Sequence, residues 1–169
     1  MKRITAVLPA LGMSLGLTAC AVFGPPPLDT ARTEADVLRM LGPPSARYAM
    51  PASATRLEFA RGPMGRETWM VDIDSGGRVT GWMQALEERR LHDFQARAPG
   101  MPRDQLLRTL GTPGVRRSGG RQGGEVWSYR YPTNECLWFQ VSLGDDGVVR
   151  DGTFGIDWQC DVRSDGARQ

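Results

Sequence analysis

In 169 residues the chain holds 21 basic side chains against 19 acidic ones, a single histidine and three cysteines. Lys2 and Arg3 make up the whole positive excess, so a basic balance that vanishes with the leader is no argument for nucleic acid. With Cys20 at the end of the leader set aside, one histidine and two cysteines leave too few ligands for a structural zinc site. From the start of the chain, Lys2 and Arg3 precede an apolar run over 4–19, broken by Pro9, Gly12 and Gly16 and short for a bilayer span. That pattern predicts a secretory leader. Phe23-Gly24-Pro25-Pro26-Pro27 then reads as a stiff, extended tether, because consecutive prolines lack the N–H groups a helix needs.

A first helix is expected near Thr33, which caps it, with Glu34 and Asp36 in the first turn and Val37, Leu38 and Leu41 as its apolar stripe. Gly42 is expected to stop it in a left-handed conformation, and Pro43 and Pro44 to prevent its resumption. Strands are predicted over 56–61, 68–73 and 78–83, the last two joined by the turn Asp74-Ser75-Gly76-Gly77. Trp69, Val71 and Ile73 share one face of the second. A longer helical stretch over 86–98 follows, with Leu86, Leu91 and Phe94 on its packing side, until Pro99-Gly100 interrupts it. Pro102 opens another helix that runs to Leu110 and stops at Gly111. The arginines Arg116 and Arg117 read as part of a solvated loop continuing through a flexible stretch over 119–124. Strands over 126–131, 137–143 and 148–154 or beyond close the fold, with Gly144-Asp145-Asp146-Gly147 as hairpin turn and a polar tail over 161–169.

The two halves repeat one another. Val37-Leu38-Arg39-Met40-Leu41-Gly42-Pro43-Pro44 recurs as Leu106-Leu107-Arg108-Thr109-Leu110-Gly111-Thr112-Pro113, and Leu57-Glu58-Phe59 recurs as Trp127-Ser128-Tyr129. A repeat that keeps apolar and turn positions but few charges duplicates a fold, since packing and backbone geometry constrain those residue types most. The expected class is therefore α+β: two tandem units over 31–84 and 85–160, each one or two short helices followed by a three-stranded antiparallel sheet. Most of Trp69, Trp82, Trp127, Trp138 and Trp158 are expected in the core, with one or two exposed for a partner.

The leader ends in Leu17-Thr18-Ala19-Cys20, which is similar to the lipobox of bacterial lipoproteins. Residues 1–19 are then the signal peptide, Cys20 is the lipidated first residue, and 20–30 is the tether. Ordinary cleavage at the small-x-small site Ala19-Cys20-Ala21 is the alternative. With Cys20 lipidated, Cys136 and Cys160 are left as an even pair in an exported chain, and a disulfide between them is expected. Closing that loop would stabilise the second unit by about 3 to 4 kcal/mol on the chain-entropy model. Two buried free thiols are the alternative.

Gly100-Met101-Pro102, the short helix after it, Leu110-Gly111-Thr112-Pro113, the aromatic strand Glu125-Val126-Trp127-Ser128-Tyr129 and the hairpin ending Gly147-Val148-Val149 resemble the SmpA/OmlA (BamE-like) family. Its members are small outer-membrane lipoproteins associated with β-barrel assembly. The second unit matches most fully, whereas the first has Ala31-Arg32-Thr33 in place of Gly-Met and lacks an evident first helix. A tandem arrangement is also similar to the architecture of β-lactamase inhibitor proteins. The resemblance implies a membrane-anchored, non-enzymatic protein-binding module facing the periplasm, without cofactor or metal, whose partners are envelope proteins of the β-barrel assembly machinery or outer-membrane proteins. A protein inhibitor of a secreted hydrolase, and a structural lipoprotein or small-ligand carrier, are the other readings. Ala21 after the lipid site, where aspartate favours inner-membrane retention in enteric bacteria, points outward.

The residues themselves supply no catalytic constellation. His92 lies among Glu87, Glu88, Arg89, Arg90 and Asp93, a pattern that reads as an exposed helix face. Asp72-Ile73-Asp74-Ser75-Gly76 starts like a calcium loop, but Met83 stands where the closing glutamate belongs. Gly119-Gly120-Arg121-Gln122-Gly123-Gly124 lacks the Gly-Lys-Ser/Thr ending of a phosphate loop and leads into a strand.

Overall fold

The computed structural model describes residues 25–61, 65–119 and 123–156. The expected leader with Leu17, Thr18 and Ala19, the expected lipid site Cys20, and at the other end Trp158, Cys160 and the tail over 161–169 lie outside the described residues. Among those described, no helix is long and apolar enough to cross a membrane.

The first unit runs α1 (Glu34–Leu41), β1 (Ala46–Ala49), β2 (Thr55–Arg61), β3 (Glu67–Ile73) and β4 (Val79–Gln84). The second runs α2 (Glu88–Gln95), α3 (Arg103–Leu110), β5 (Val115–Ser118), β6 (Glu125–Arg130), β7 (Leu137–Leu143) and β8 (Val149–Ile156). Each unit is an antiparallel meander of four strands, ordered β1-β2-β3-β4 and β5-β6-β7-β8.

The expectation of three strands per sheet is thereby corrected. The additional strand in each case is a four-residue edge strand, Ala-Arg-Tyr-Ala or Val-Arg-Arg-Ser, that follows the helix-ending glycine. Neither carries an apolar alternation of its own. Each is held by the open backbone of the next strand, Arg47 opposite Leu57 and Arg116 opposite Trp127, a tertiary decision that leaves little trace in local pattern. Arg116 and Arg117 therefore sit in a paired strand and not in a loop. The helix expected over 86–98 is also shorter, ending at Gln95 in a turn.

Both helices of the repeated motif are pinned to the last hairpin of their own sheet in the same way. The Glu34 N–H donates to Gly77 O at 3.0 Å and the Val79 N–H to Arg32 O at 3.0 Å; the counterparts are Arg103 to Gly147 O at 2.9 Å and Val149 to Met101 O at 2.8 Å. A register shift falls at Asp72/Ile73 in one sheet and at Ser142/Leu143 in the other. Such shared irregularity is expected when a fold has been copied, since bulges mark geometry and not side-chain chemistry.

Each unit has its own core. In the first, Val37 and Leu41 pack on Leu57, Phe59, Trp69, Val71 and Ile73, with Leu28 and Ala31 sealing the end. In the second, Leu91, Phe94, Leu106 and Leu110 cover Trp127, Tyr129, Phe139, Val141 and Leu143. Full burial of such side chains is worth roughly 1.5–3 kcal/mol each, which makes these clusters the main source of stability.

Helix α1 begins with a capping box. The Asp36 N–H donates to Thr33 Oγ1, while Asp36 Oδ2 accepts from the Thr33 N–H at 3.0 Å and from its hydroxyl at 2.9 Å. The Thr33 hydroxyl, the Arg32 and Thr33 N–H groups and Arg39 hold the Asp36 carboxyl down to about 2. A folded-state value below the unfolded one means that this contribution is complete above about pH 4 and is lost as pH falls toward 2. The stability difference between wild type and Asp36→Asn, followed by urea titration, is therefore expected to shrink over that window. Thr33→Ala is expected to cost about 1 kcal/mol at neutral pH.

Cys136 is disulfide-bonded. Its expected partner, Cys160, lies outside the described residues. If the two are paired, Cys136→Ser and Cys160→Ser will each lower stability by about 3 kcal/mol and the double variant by no more. A non-reducing peptide map joining positions 136 and 160 is the direct check.

Candidate binding surface

In β2, Leu57 and Phe59 point into the first core, so by alternation Arg56 and Glu58 lie on the opposite, outer face of the sheet. That face meets the second unit. Arg56 holds both oxygens of Asp72 at 2.7 Å and donates its remaining Nη1 to the backbone oxygen of Arg108, at the end of α3, at 2.9 Å. Arg108 reaches back to Ala49 O at 3.4 Å, and Arg66 donates to Thr133 O at 3.2 Å. Backbone carbonyls at a helix C-terminus are negatively polarised and lack intrahelical donors, so an arginine there is doubly placed.

At the centre of this junction is Glu58, with 0% of its surface exposed. Its carboxylate accepts from the Thr112 N–H at 3.0 Å, from the Thr112 hydroxyl at 3.2 Å and from the Tyr48 hydroxyl. Tyr129 donates to Gly111 O at 3.2 Å beside it. Burial first, and then the neighbouring Glu58, push both tyrosine hydroxyls well above the usual phenolic range, so each stays a donor at any physiological pH. A cavity of about 230 Å³ opens next to Glu58, with Thr68, Ser128, Arg130 and Trp138 in its wall.

The second feature is an arginine edge. Among the described residues strand β5 pairs only with β6, which leaves its other side as a sheet edge. Alternation sends Arg116 and Arg117 to opposite faces of the sheet, and each finds a tryptophan. The Arg116 guanidinium lies 4.3 Å from the Trp127 ring centre, and Arg117 lies 5.1 Å from that of Trp138. Arg103 and Arg130 take further places over the same rings, each at 5.6 Å. Trp127 Nε1 donates to Glu125 at 2.5 Å, and Glu125 also holds Arg103 at 3.0 Å. That indole N–H, ahead of the two neighbouring arginines Arg103 and Arg116, holds the Glu125 carboxyl below its ordinary range. Contacts of this kind are worth about 0.5–1 kcal/mol each when exposed, enough to limit the rotamers of otherwise floppy side chains. The result is a strand edge carrying oriented cations, suited to an extended, acidic partner segment.

Other residues singled out by sequence stay apart from these features. His92 is exposed on α2, 3.9 Å from Glu88 Oε1, with its ring 4.5 Å from that of Phe154. Asp72 is committed to Arg56. Among the described residues no three of His, Cys, Asp and Glu cluster as a metal site. Trp69, Trp127 and Trp138 are buried, while Trp82 is 36% exposed. Glu58 and Arg56 were not picked out by sequence reasoning, because a charge flanked by apolar residues in an alternating strand reads as solvent-facing.

A scan against protein-family models finds no match, and no curated protein or solved structure matches the chain significantly.

Proposed function

We propose that this chain is a lipid-anchored protein of the outer membrane that binds other envelope proteins in the periplasm and has no catalysis of its own. Its role would lie in outer-membrane protein assembly or envelope integrity, as the BamE-like resemblance of the second unit implies. The observation that carries the binding reading is the β5 edge, where Arg116 and Arg117 are held against Trp127 and Trp138. Arginine is among the residue types most concentrated at interface hot spots, the buried tryptophans hold these two in place, and a strand at a sheet edge offers the backbone groups that strand addition uses.

Crosslinking in intact cells followed by mass spectrometry tests this. Recovery of β-barrel assembly components or outer-membrane proteins is expected, with yield falling at least about tenfold for the double variant Arg116→Glu, Arg117→Glu. A single dominant secreted hydrolase would instead identify an inhibitor. Cys20→Ala is expected to move the protein from the membrane to the soluble periplasmic fraction; unchanged outer-membrane recovery would exclude the lipid as its anchor.

A further inference from the structure

The first unit shows what an arginine in the place of Arg116 binds. Strand β1 matches β5: Arg47 stands opposite Leu57 as Arg116 stands opposite Trp127, and Ser45 and Gly114 donate in the same way to Glu58 O and Ser128 O. Arg47 is answered within its own unit, where Glu34 in the first turn of α1 holds its Nη2 at 2.7 Å. The residue in the place of Glu34 is Arg103, since their N–H groups donate equivalently to Gly77 O and Gly147 O. A carboxylate in one unit has thus become a second cation in the other. Glu125 feels the charge of Arg116 but is bonded to Trp127 and Arg103 and forms no ion pair with it. Tyr48, the match of Arg117, is taken up by Glu58. Among the described residues neither Arg116 nor Arg117 has a carboxylate partner, and each is held over a ring instead.

Backbone geometry fixes how a partner strand would meet these two side chains. The Gly119 N–H donates to Gly124 O at 2.8 Å, and bonded and non-bonded pairs alternate along an antiparallel ladder. Two residues back, Arg117 therefore turns its N–H and C=O toward Val126, and Arg116 turns its own away from β6, to the sheet edge. A strand added at that edge bonds through one residue to Arg116. The side chain of that residue stands on the face of Arg116, and the side chain of its chain neighbour stands on the face of Arg117.

We infer that the β5 edge takes an extended segment of another protein carrying two consecutive acidic residues, one carboxylate filling beside Arg116 the place that Glu34 fills beside Arg47. Acidic residues at alternate positions would share one face and leave one arginine unanswered. A second copy of β5 is a poor occupant, because it would bring arginines beside arginines. The inference rests on the protein-binding reading and specifies the partner: opposite charge selects it, and the two faces of the sheet require the charges to be adjacent.

The test measures binding of capped, fluorescently labelled peptides to the full chain purified from cells, by anisotropy. The peptides are Thr-Val-Glu-Glu-Val-Thr, its isomer Thr-Glu-Val-Glu-Val-Thr, and Thr-Val-Lys-Lys-Val-Thr. The adjacent pair is expected to bind at least about tenfold more tightly than the isomer of the same composition, and the lysine peptide is expected not to bind. Methylating the backbone nitrogen of one glutamate is expected to abolish binding and of the other to leave it, since successive N–H groups of a strand point to opposite sides. The double variant Arg116→Glu, Arg117→Glu is expected to reverse the preference toward the lysine peptide, a gain that an unfolded chain does not show. Equal affinity for the two glutamate isomers, indifference to both methylations, an unchanged preference in the double variant, or no binding of the adjacent pair would each overturn the inference. Arginine-dependent crosslinking of envelope proteins without a preference between the isomers would overturn the acidic pair and keep the binding reading. Preference for the adjacent pair with no envelope protein recovered from cells would overturn that reading and keep the pair.

Discussion

Glu58→Ala is expected to destabilise the protein by about 3 kcal/mol, the largest effect of any single polar substitution in the first sheet. The side chain is fully buried, and its removal leaves three donors without an acceptor: the Tyr48 hydroxyl, the Thr112 N–H and the Thr112 hydroxyl. Each buried, unsatisfied donor costs about 1–3 kcal/mol, and the adjoining cavity moderates the total by giving water a place to enter. Glu58→Gln keeps the volume and one acceptor oxygen, and the two hydroxyls are able to rotate, so its cost is expected nearer 1 kcal/mol. Urea unfolding of both variants checks this, with the midpoint moving at constant slope. A loss below about 1 kcal/mol for the alanine variant would mean that water replaces the carboxylate and that Glu58 does not tie the units together. Because Thr112 and Tyr48 belong to different units, Glu58→Ala is also expected to broaden or split a single thermal transition.

Gly111→Ala is expected to cost about 3 to 4 kcal/mol, against about 1 to 2 kcal/mol for its repeat counterpart Gly42→Ala. Both glycines end a helix and both take positive φ, at +85° and +74°, with ψ of −165° and −159°. That combination is extended and not the left-handed helical cap that sequence suggests, and it is a region only glycine occupies easily. The backbone penalty is thus common to the two sites. The surroundings are not. A Cβ on Gly111 would lie 2.9 Å from Thr68 Cγ2 and 3.0 Å from the Glu58 carboxyl carbon, whereas on Gly42 the nearest atom is an Arg61 nitrogen at 3.7 Å. The difference between the two variants therefore measures how tightly the second unit's corner fits the first unit's sheet. Equal costs would show that the junction opens to accept a methyl group.

The two glycines illustrate how far sequence reasoning reaches. Leu38, Leu41, Gly42 and their repeats at Leu107, Leu110 and Gly111 were legible as a duplicated helix and stop, because periodicity and glycine's backbone freedom act over a few residues. Trp69, Val71 and Ile73 were legible as one face for the same reason. Strands β1 and β5 were not, since Ala46–Ala49 and Val115–Ser118 become strands only by pairing with an edge that a later segment supplies. Arg116 and Arg117, taken alone, look like a solvated pair; their tryptophans lie on β6 and β7.

The sequence by itself determined that there are two copies of one α+β unit, where the two repeated helices start and stop, and most of the side chains that fill each core. These properties follow from contacts within a unit and from local backbone preference. Only the tertiary structure decided what becomes of the outer faces. Alternation marks a residue such as Glu58 as pointing away from its own core, and says nothing about whether water or another unit waits there. Docking of Gly111 and Thr112 made it a buried clamp, while Trp82, apolar and on the core side of its strand, is left 36% exposed.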